Sequence, residues 1–276
     1  MLINVFFVAL TTIQPPADTG RTASGLWYSG TGTGPPVVLL HGSNLDSRSW
    51  GSLPGALSAN HRVIRTDLRS HGRSRDASGP FSWADDVVEV LDAVGADRAT
   101  LIGHSLGAQI AIDVAVSRPS RVNGLIVIGP AISGMPLTKP PAGIEDMVAA
   151  LRRGDLVTAG AALGRMPVMT LYRDTASQNE VRTIVAENVR LFRADRAWLT
   201  PLDPPAAGRV GELSMPVLVL LGEVDPTESN AAGRALLERV PGAASETIPG
   251  CGHLVPLDCP VETARAVAEF LRQAGR

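Results

Sequence analysis

The densest chemistry in this 276-residue chain lies in the pentapeptide Gly103-His104-Ser105-Leu106-Gly107. A β-rich run over residues 99–102 precedes it, and a helical pattern over 108–116 follows. That is the context in which G-x-S-x-G makes a tight turn lifting a serine oxygen off a sheet edge. Glycine two residues to either side removes Cβ atoms that would collide with neighbouring backbone. A serine hydroxyl is a poor nucleophile until a base takes its proton. Of the five histidines, His104 lies inside the turn and points away from the serine, His41 and His71 shape loops, and His61 precedes a strand. His253 remains, in Gly250-Cys251-Gly252-His253-Leu254, and is the expected base. A base of this kind needs a carboxylate to fix its tautomer. Asp225, just past the buried run 217–221, fits that position better than Glu223, still close to the strand, or Glu228, which opens the next helix. The oxyanion formed on attack requires two backbone N–H donors. Leu106 supplies one, and Ser43, in His41-Gly42-Ser43-Asn44, the other.

Composition narrows the alternatives. Of 25 basic residues only Lys139 is a lysine, set in a proline-rich stretch. No G-x-x-x-x-G-K-[ST] pattern surrounds it, so P-loop and Schiff-base chemistry are disfavoured. A net charge of −2 leaves no clustered positive field for nucleic acid. Cys251 and Cys259 show no zinc-ligand spacing, and no metal or organic cofactor is implied. Their eight-residue separation could form a local bridge, but two free thiols in a reducing compartment are the expected reading. Residues 1–10 are apolar apart from Asn4, but lack the opening Lys or Arg of a secretory signal and are too few to span a bilayer. An edge strand over 5–13 and a cytoplasmic location are the expectation, with a cryptic signal as the alternative.

The elements that must position these residues alternate. Strand-like runs at 37–40, 62–66, 99–102, 125–128, 217–221 and 246–248 are separated by helical patterns at 83–94, 108–116, 231–240 and 261–271. This rhythm predicts an α/β fold: a mostly parallel central sheet with helices on both faces. Between about 130 and 213 the rhythm breaks into amphipathic helices, one carrying Ile144, Met147, Val148 and Leu151, another Val181, Ile184, Val185, Val189 and Phe192. The expected organisation is a core of residues 1–130 and 214–276, with 131–213 as a helical cap.

These landmarks, in this order and spacing, resemble the α/β-hydrolase superfamily: 37–42, Asp67 to Ser74, Gly103 to Gly107, Gly222 to Asp225 and Gly252-His253. The chain order Ser105, Asp225, His253 is the one that this fold uses. The resemblance implies a serine-nucleophile hydrolase acting on a carboxylic ester, thioester or lactone of a small to medium, largely apolar substrate. Aspartate-nucleophile branches are disfavoured, and no His-Gly-Gly-Gly run is present. One departure is Arg69-Ser70-His71-Gly72, where the family usually has Arg-Gly-His-Gly. Met147, Met166, Met169, Phe192 and Trp198 are the expected pocket lining, with packing of the cap onto the core as their competing role. Two other readings stand beside the esterase: a C–C bond hydrolase of vinylogous diketones, weakly favoured by His41-Gly42-Ser43, and a receptor-like homologue with little turnover.

Overall fold

The computed structural model of the protein describes residues 18–136 and 140–274. The edge strand expected over 5–13, and Lys139, lie outside the described residues. The strands are β1 (Asp18–Arg21), β2 (Trp27–Thr31), β3 (Pro36–Leu40), β4 (Arg62–Thr66), β5 (Ala99–His104), β6 (Val122–Ile128), β7 (Val217–Gly222) and β8 (Ala244–Ile248). The helices are α1 (Leu53–Leu57), α2 (Trp83–Ala93), α3 (Leu106–Ser117), α4 (Ile144–Arg152), α5 (Leu156–Leu163), α6 (Gln178–Glu187), α7 (Thr227–Arg239), α8 (Val255–Asp258) and α9 (Pro260–Ala274). One eight-stranded sheet runs in the order β1-β2-β4-β3-β5-β6-β7-β8. The β1–β2 and β2–β4 pairs are antiparallel, and every later pair is parallel.

The period-2 alternation of side chains splits the β-branched and leucine runs between two cores. Val38, Leu40, Leu101 and Val127 pack against α2 and α3 on one face. Val37, Leu39, Ile102 and Ile128 pack against α1 and α9 on the other. Strands buried on both faces explain why 37–40 and 217–221 read as continuous apolar runs.

Strand order reverses at β3 and β5, the point where open α/β sheets form a crevice at the strand carboxyl ends. There Leu40 pairs with Gly103, so the turn after β3 and the turn after β5 leave the sheet side by side. On the next strands, Ile128 pairs with Leu220 and Gly222 with Ile248. Asp225 and the loop bearing His253 therefore emerge at the same edge.

Between β6 and β7 no strand occurs among the described residues; α4, α5, α6 and short 3-10 turns fill the segment. Its apolar side chains form a third cluster that also takes in Leu45 and Leu254 from loops of the core. Among the described residues no helix is long and apolar enough to cross a membrane.

The cysteines depart from expectation. Cys251 and Cys259 are joined in a disulfide, with their Cα atoms 6.2 Å apart, inside the range a bridge requires. The single turn of α8 folds the chain back and brings the two thiols together, so the local bridge that the eight-residue spacing allows is the one formed. The bridge also removes the cysteine argument for a reducing compartment.

Candidate active site

Ser105 is the hinge between β5 and α3, and its backbone takes φ 52°, ψ −113°. A non-glycine residue accepts that conformation only where the surroundings impose it. Here the Ser105 N–H donates to Ile128 O (3.0 Å), while the Ser105 carbonyl accepts from Ala108 and Gln109 at the head of α3. A Cβ at Gly107 would strike the Leu40 carbonyl, and one at Gly103 the backbone of Gly107 and Ala108. The two glycines let α3 begin against the ends of β3 and β5. Leu106 occupies the first position of α3, where the helix offers its N–H no acceptor.

His253 Nδ1 lies 2.6 Å from Asp225 Oδ1, and both residues are buried. A carboxylate only accepts, so Nδ1 carries the proton and Nε2 keeps its lone pair. Asp225 is held in turn by the Gly222 N–H on Oδ2 (3.2 Å) and by Asn230 Nδ2 on its carbonyl (3.0 Å). The competing carboxylates are elsewhere: Glu223 caps the Gly250 N–H (2.8 Å), and Glu228 stands in the first turn of α7. Gly129, one residue beyond the carbonyl that holds Ser105, lies so close to this pair that a Cβ there would come within 2.8 Å of His253 Nδ1 and 3.2 Å of Asp225 Oδ2. The His104 ring sits 4.8 Å from that of His253, and His104 Nε2 donates to the His253 carbonyl (2.9 Å).

His41 and His71 are neutral supports. His41 donates from Nδ1 to Gly42 O (2.8 Å) and accepts the Leu68 N–H on Nε2 (2.9 Å). His71 donates to Arg69 O (2.9 Å) and accepts the Asn44 N–H (3.2 Å). Burial holds His41 and His104 below the ordinary imidazole range, and burial reinforced by the neighbouring His41 pushes His71 down to about 3. Ser70, the departure from Arg-Gly-His-Gly, adopts φ 64° as glycine would, and its Oγ accepts the Ala77 N–H at 3.0 Å.

The turn after β3 closes through Leu45 N to Gly42 O (3.3 Å), which leaves the Ser43 N–H out of the turn's own pairing. Ser43 also lies on the wall of a cavity of about 780 Å³. Leu151, Leu156, Leu191, Phe192 and Leu199 of the segment between β6 and β7 line it together with Phe81 and Trp83 of the core. Of the five residues expected to line a pocket, only Phe192 does so here. Met147, Met166 and Met169 are buried in the third apolar cluster, together with Leu45 and Leu254 of the core. Trp198 is off the cavity wall; its carbonyl accepts the Phe81 N–H (2.8 Å). An amphipathic methionine pattern marks a buried face and does not say whether ligand or protein covers it.

Two buried polar residues escaped sequence reasoning. Asp258 Oδ1 accepts the N–H groups of Tyr172 (2.9 Å), Arg173 (2.7 Å) and Asp174 (3.2 Å), and Oδ2 accepts Gly252 N–H (2.8 Å). It thereby ties the inserted segment to the residue before His253. Asn188 makes a comparable tie to the turn after β3. The only sequence signal for either is a polar residue at the edge of an apolar pattern.

Comparison with known proteins agrees with this geometry. A model of the alpha/beta hydrolase family matches residues 37–266. A 2-hydroxy-6-oxononadienedioate/2-hydroxy-6-oxononatrienedioate hydrolase from Burkholderia vietnamiensis is 29% identical over 265 residues, covering 89% of this chain and 90% of its own. A pimeloyl-[acyl-carrier protein] methyl ester esterase from Nitrosomonas europaea is 27% identical, covering 83% of this chain and 93% of its own. The crystal structure of an esterase from Rhodococcus sp. ECU1013 superposes with a TM-score of 0.80 at 26% identity, over 93% of this chain and 98% of that one. With the sheet order, the strand–serine–helix turn and the family match in agreement, this chain belongs to the alpha/beta hydrolase family and is a hydrolase.

Proposed function

We propose that the protein hydrolyses a carboxylic ester, thioester or lactone through an acyl-enzyme on Ser105. The observation that carries this reading is the buried 2.6 Å pair of His253 and Asp225, which leaves Nε2 with its lone pair, while the ring of His104, the residue before Ser105, lies 4.8 Å from that of His253. His253 Nε2 takes the Ser105 proton as Oγ attacks the carbonyl carbon. The N–H groups of Ser43 and Leu106 hold the oxyanion, and the head of α3 adds its dipole. The imidazolium then protonates the leaving alcohol or thiol, and a water deprotonated by His253 releases the acid and restores Ser105. Asp225 keeps the imidazole in one tautomer and stabilises its charged form. Residues 131–213 act as a cap whose apolar wall receives a small to medium apolar substrate. Purified protein with p-nitrophenyl acetate and butyrate tests this: hydrolysis lost in Ser105→Ala is expected, and no turnover of either ester contradicts it.

A second reading, C–C bond hydrolysis of a vinylogous diketone, draws on the Burkholderia vietnamiensis relative above and on a 2-hydroxymuconate semialdehyde hydrolase from Pseudomonas sp.. It uses the same three side chains. A dienol-dione substrate consumed faster than p-nitrophenyl butyrate, judged by kcat/KM, would favour it.

A further inference from the structure

The inserted segment reaches into the turn after β3 through one fully buried side chain, Asn188, at the end of α6. Its Nδ2 donates to Asp46 Oδ2 (2.8 Å) and to Ile184 O (2.8 Å), and its Oδ1 accepts the Gly72 N–H (2.6 Å). Its main-chain carbonyl accepts Asn44 Nδ2 (3.1 Å). Every donor and acceptor of the side chain is used, the condition under which a buried polar node fixes one geometry.

Apart from the bond to Ile184 O, which stays within α6, these bonds reach Asn44, Asp46 and Gly72, on or against the turn that carries Ser43. Asn44 sits at φ 57°, a left-handed conformation asparagine tolerates but does not prefer. It is held there by His71 on its N–H, by Asn188 on its amide, and by the Ser43 hydroxyl, which donates to its Oδ1 (3.0 Å). Asp46 begins the 3-10 turn Ser47–Trp50, and Arg48 donates to its carboxylate from the backbone and from the guanidinium. Burial alone would raise the Asp46 carboxyl, but hydrogen bonds from Arg48 and Asn188 outweigh it and bring it down to about 2. On the other side, Gly72 follows His71, the acceptor of the Asn44 N–H. The Asn188 side chain thus grips the turn from both flanks.

We propose that Asn188 is a positioning residue that sets the Ser43 N–H for the oxyanion, so that the inserted segment completes the reaction geometry from outside the sheet. This rests on the serine-hydrolase reading above. The prediction is specific to the transition state. A segment that merely covers substrate would act on KM, whereas a displaced oxyanion donor acts on kcat and leaves ground-state binding alone.

The test compares wild type, Asn188→Ala and Asn188→Asp in the full chain, with Val157→Ser as a control on the exposed surface of the same segment. Asn188→Asp keeps the volume and the acceptor for Gly72 while turning a carboxylate toward Asp46, and serves if the alanine variant does not fold. Each is assayed with p-nitrophenyl butyrate and with an alkyl trifluoromethyl ketone, whose tetrahedral adduct places an oxyanion in the site. The expected result is a kcat about 30- to 1000-fold lower, a KM within about threefold, and a parallel loss of ketone affinity. The control stays within about twofold of wild type in all three, as expected for an exposed substitution. An unchanged kcat, or a fall in kcat with ketone affinity intact, overturns the role of Asn188. A wild type that neither turns over ester nor binds the ketone overturns the underlying serine-hydrolase reading, and this one with it.

Discussion

The His104 imidazole, adjacent in sequence to Ser105, donates from Nε2 to the main-chain carbonyl of His253 at 2.9 Å. The residue beside the serine therefore holds the backbone of the histidine proposed to activate it, 149 positions away. Replacing it by alanine removes that donor and opens space beneath the His253 ring. His104→Ala should lower kcat by about 10- to 100-fold, the scale on which small misplacements of reacting groups act. His104→Gln, which can still donate, should recover most of the loss. Equal rates for alanine and wild type would show that the contact does not position His253.

The disulfide closes the loop carrying His253, and the chain-entropy relation for so short a loop gives about 2–3 kcal/mol. The Cys251→Ser/Cys259→Ser protein should melt roughly 3–5 °C below wild type. Its kcat should fall more than its KM rises, since the loop carries the base and not the substrate wall. Thermal melts with and without a dithiol reductant check the same point on the native chain. An unchanged melting temperature in both would contradict it.

Acid should destabilise the fold through its buried histidines. His41, His71 and His104 resist protonation when folded, His71 until about pH 3, whereas an unfolded imidazole protonates near 6.5. Below that pH the unfolded chain binds protons that the folded chain refuses, so unfolding becomes easier as pH falls. At pH 4.5 His71 alone should remove about 2–3 kcal/mol of stability. Denaturant titrations at pH 7.5 and 4.5 should show the drop, and His71→Gln should reduce it. A drop as large in that variant would assign the effect elsewhere.

Asp113 on α3 works in the opposite sense. It accepts Ser133 Oγ at 2.5 Å, and burial raises its carboxyl to about 6. The folded protein holds this proton where the unfolded chain has released it, so stability from this group is full below pH 3.8 and declines as pH rises through 6. Asp113→Asn, which retains an acceptor for Ser133, should gain on the order of 2 kcal/mol at pH 7.5. The gain should vanish near pH 4; a gain independent of pH would point to packing instead.

The core was legible because its signals are local and redundant. Residues 62–66 read as a strand and form β4 as expected, and the 83–94 pattern ending at Gly95 yields α2. The β1–β2 hairpin was missed: Trp27–Thr31 is short, contains Gly30 and shows no sustained alternation. Helix α5 was missed too, since Leu156–Leu163 is small and apolar with no polar face to set a period. Ser105, Asp225 and His253 could be singled out because each follows a readable strand end. What escaped was long-range pairing: Asn188 with Asp46, and Asp258 with the 172–174 backbone. Such contacts depend on how the inserted segment and α8 fold back, which no local period encodes.

The most direct measurement of the central claim is intact-protein mass spectrometry after incubation with a fluorophosphonate. Wild type should gain one phosphonyl group, mapped by peptide analysis to Ser105. Ser105→Ala should gain none, and His253→Ala and Asp225→Asn should react at least about 100-fold more slowly, as expected when the base or its orienting carboxylate is lost. A wild type that stays unlabelled, or a Ser105→Ala protein that still takes up one group, would show that the nucleophile is not Ser105.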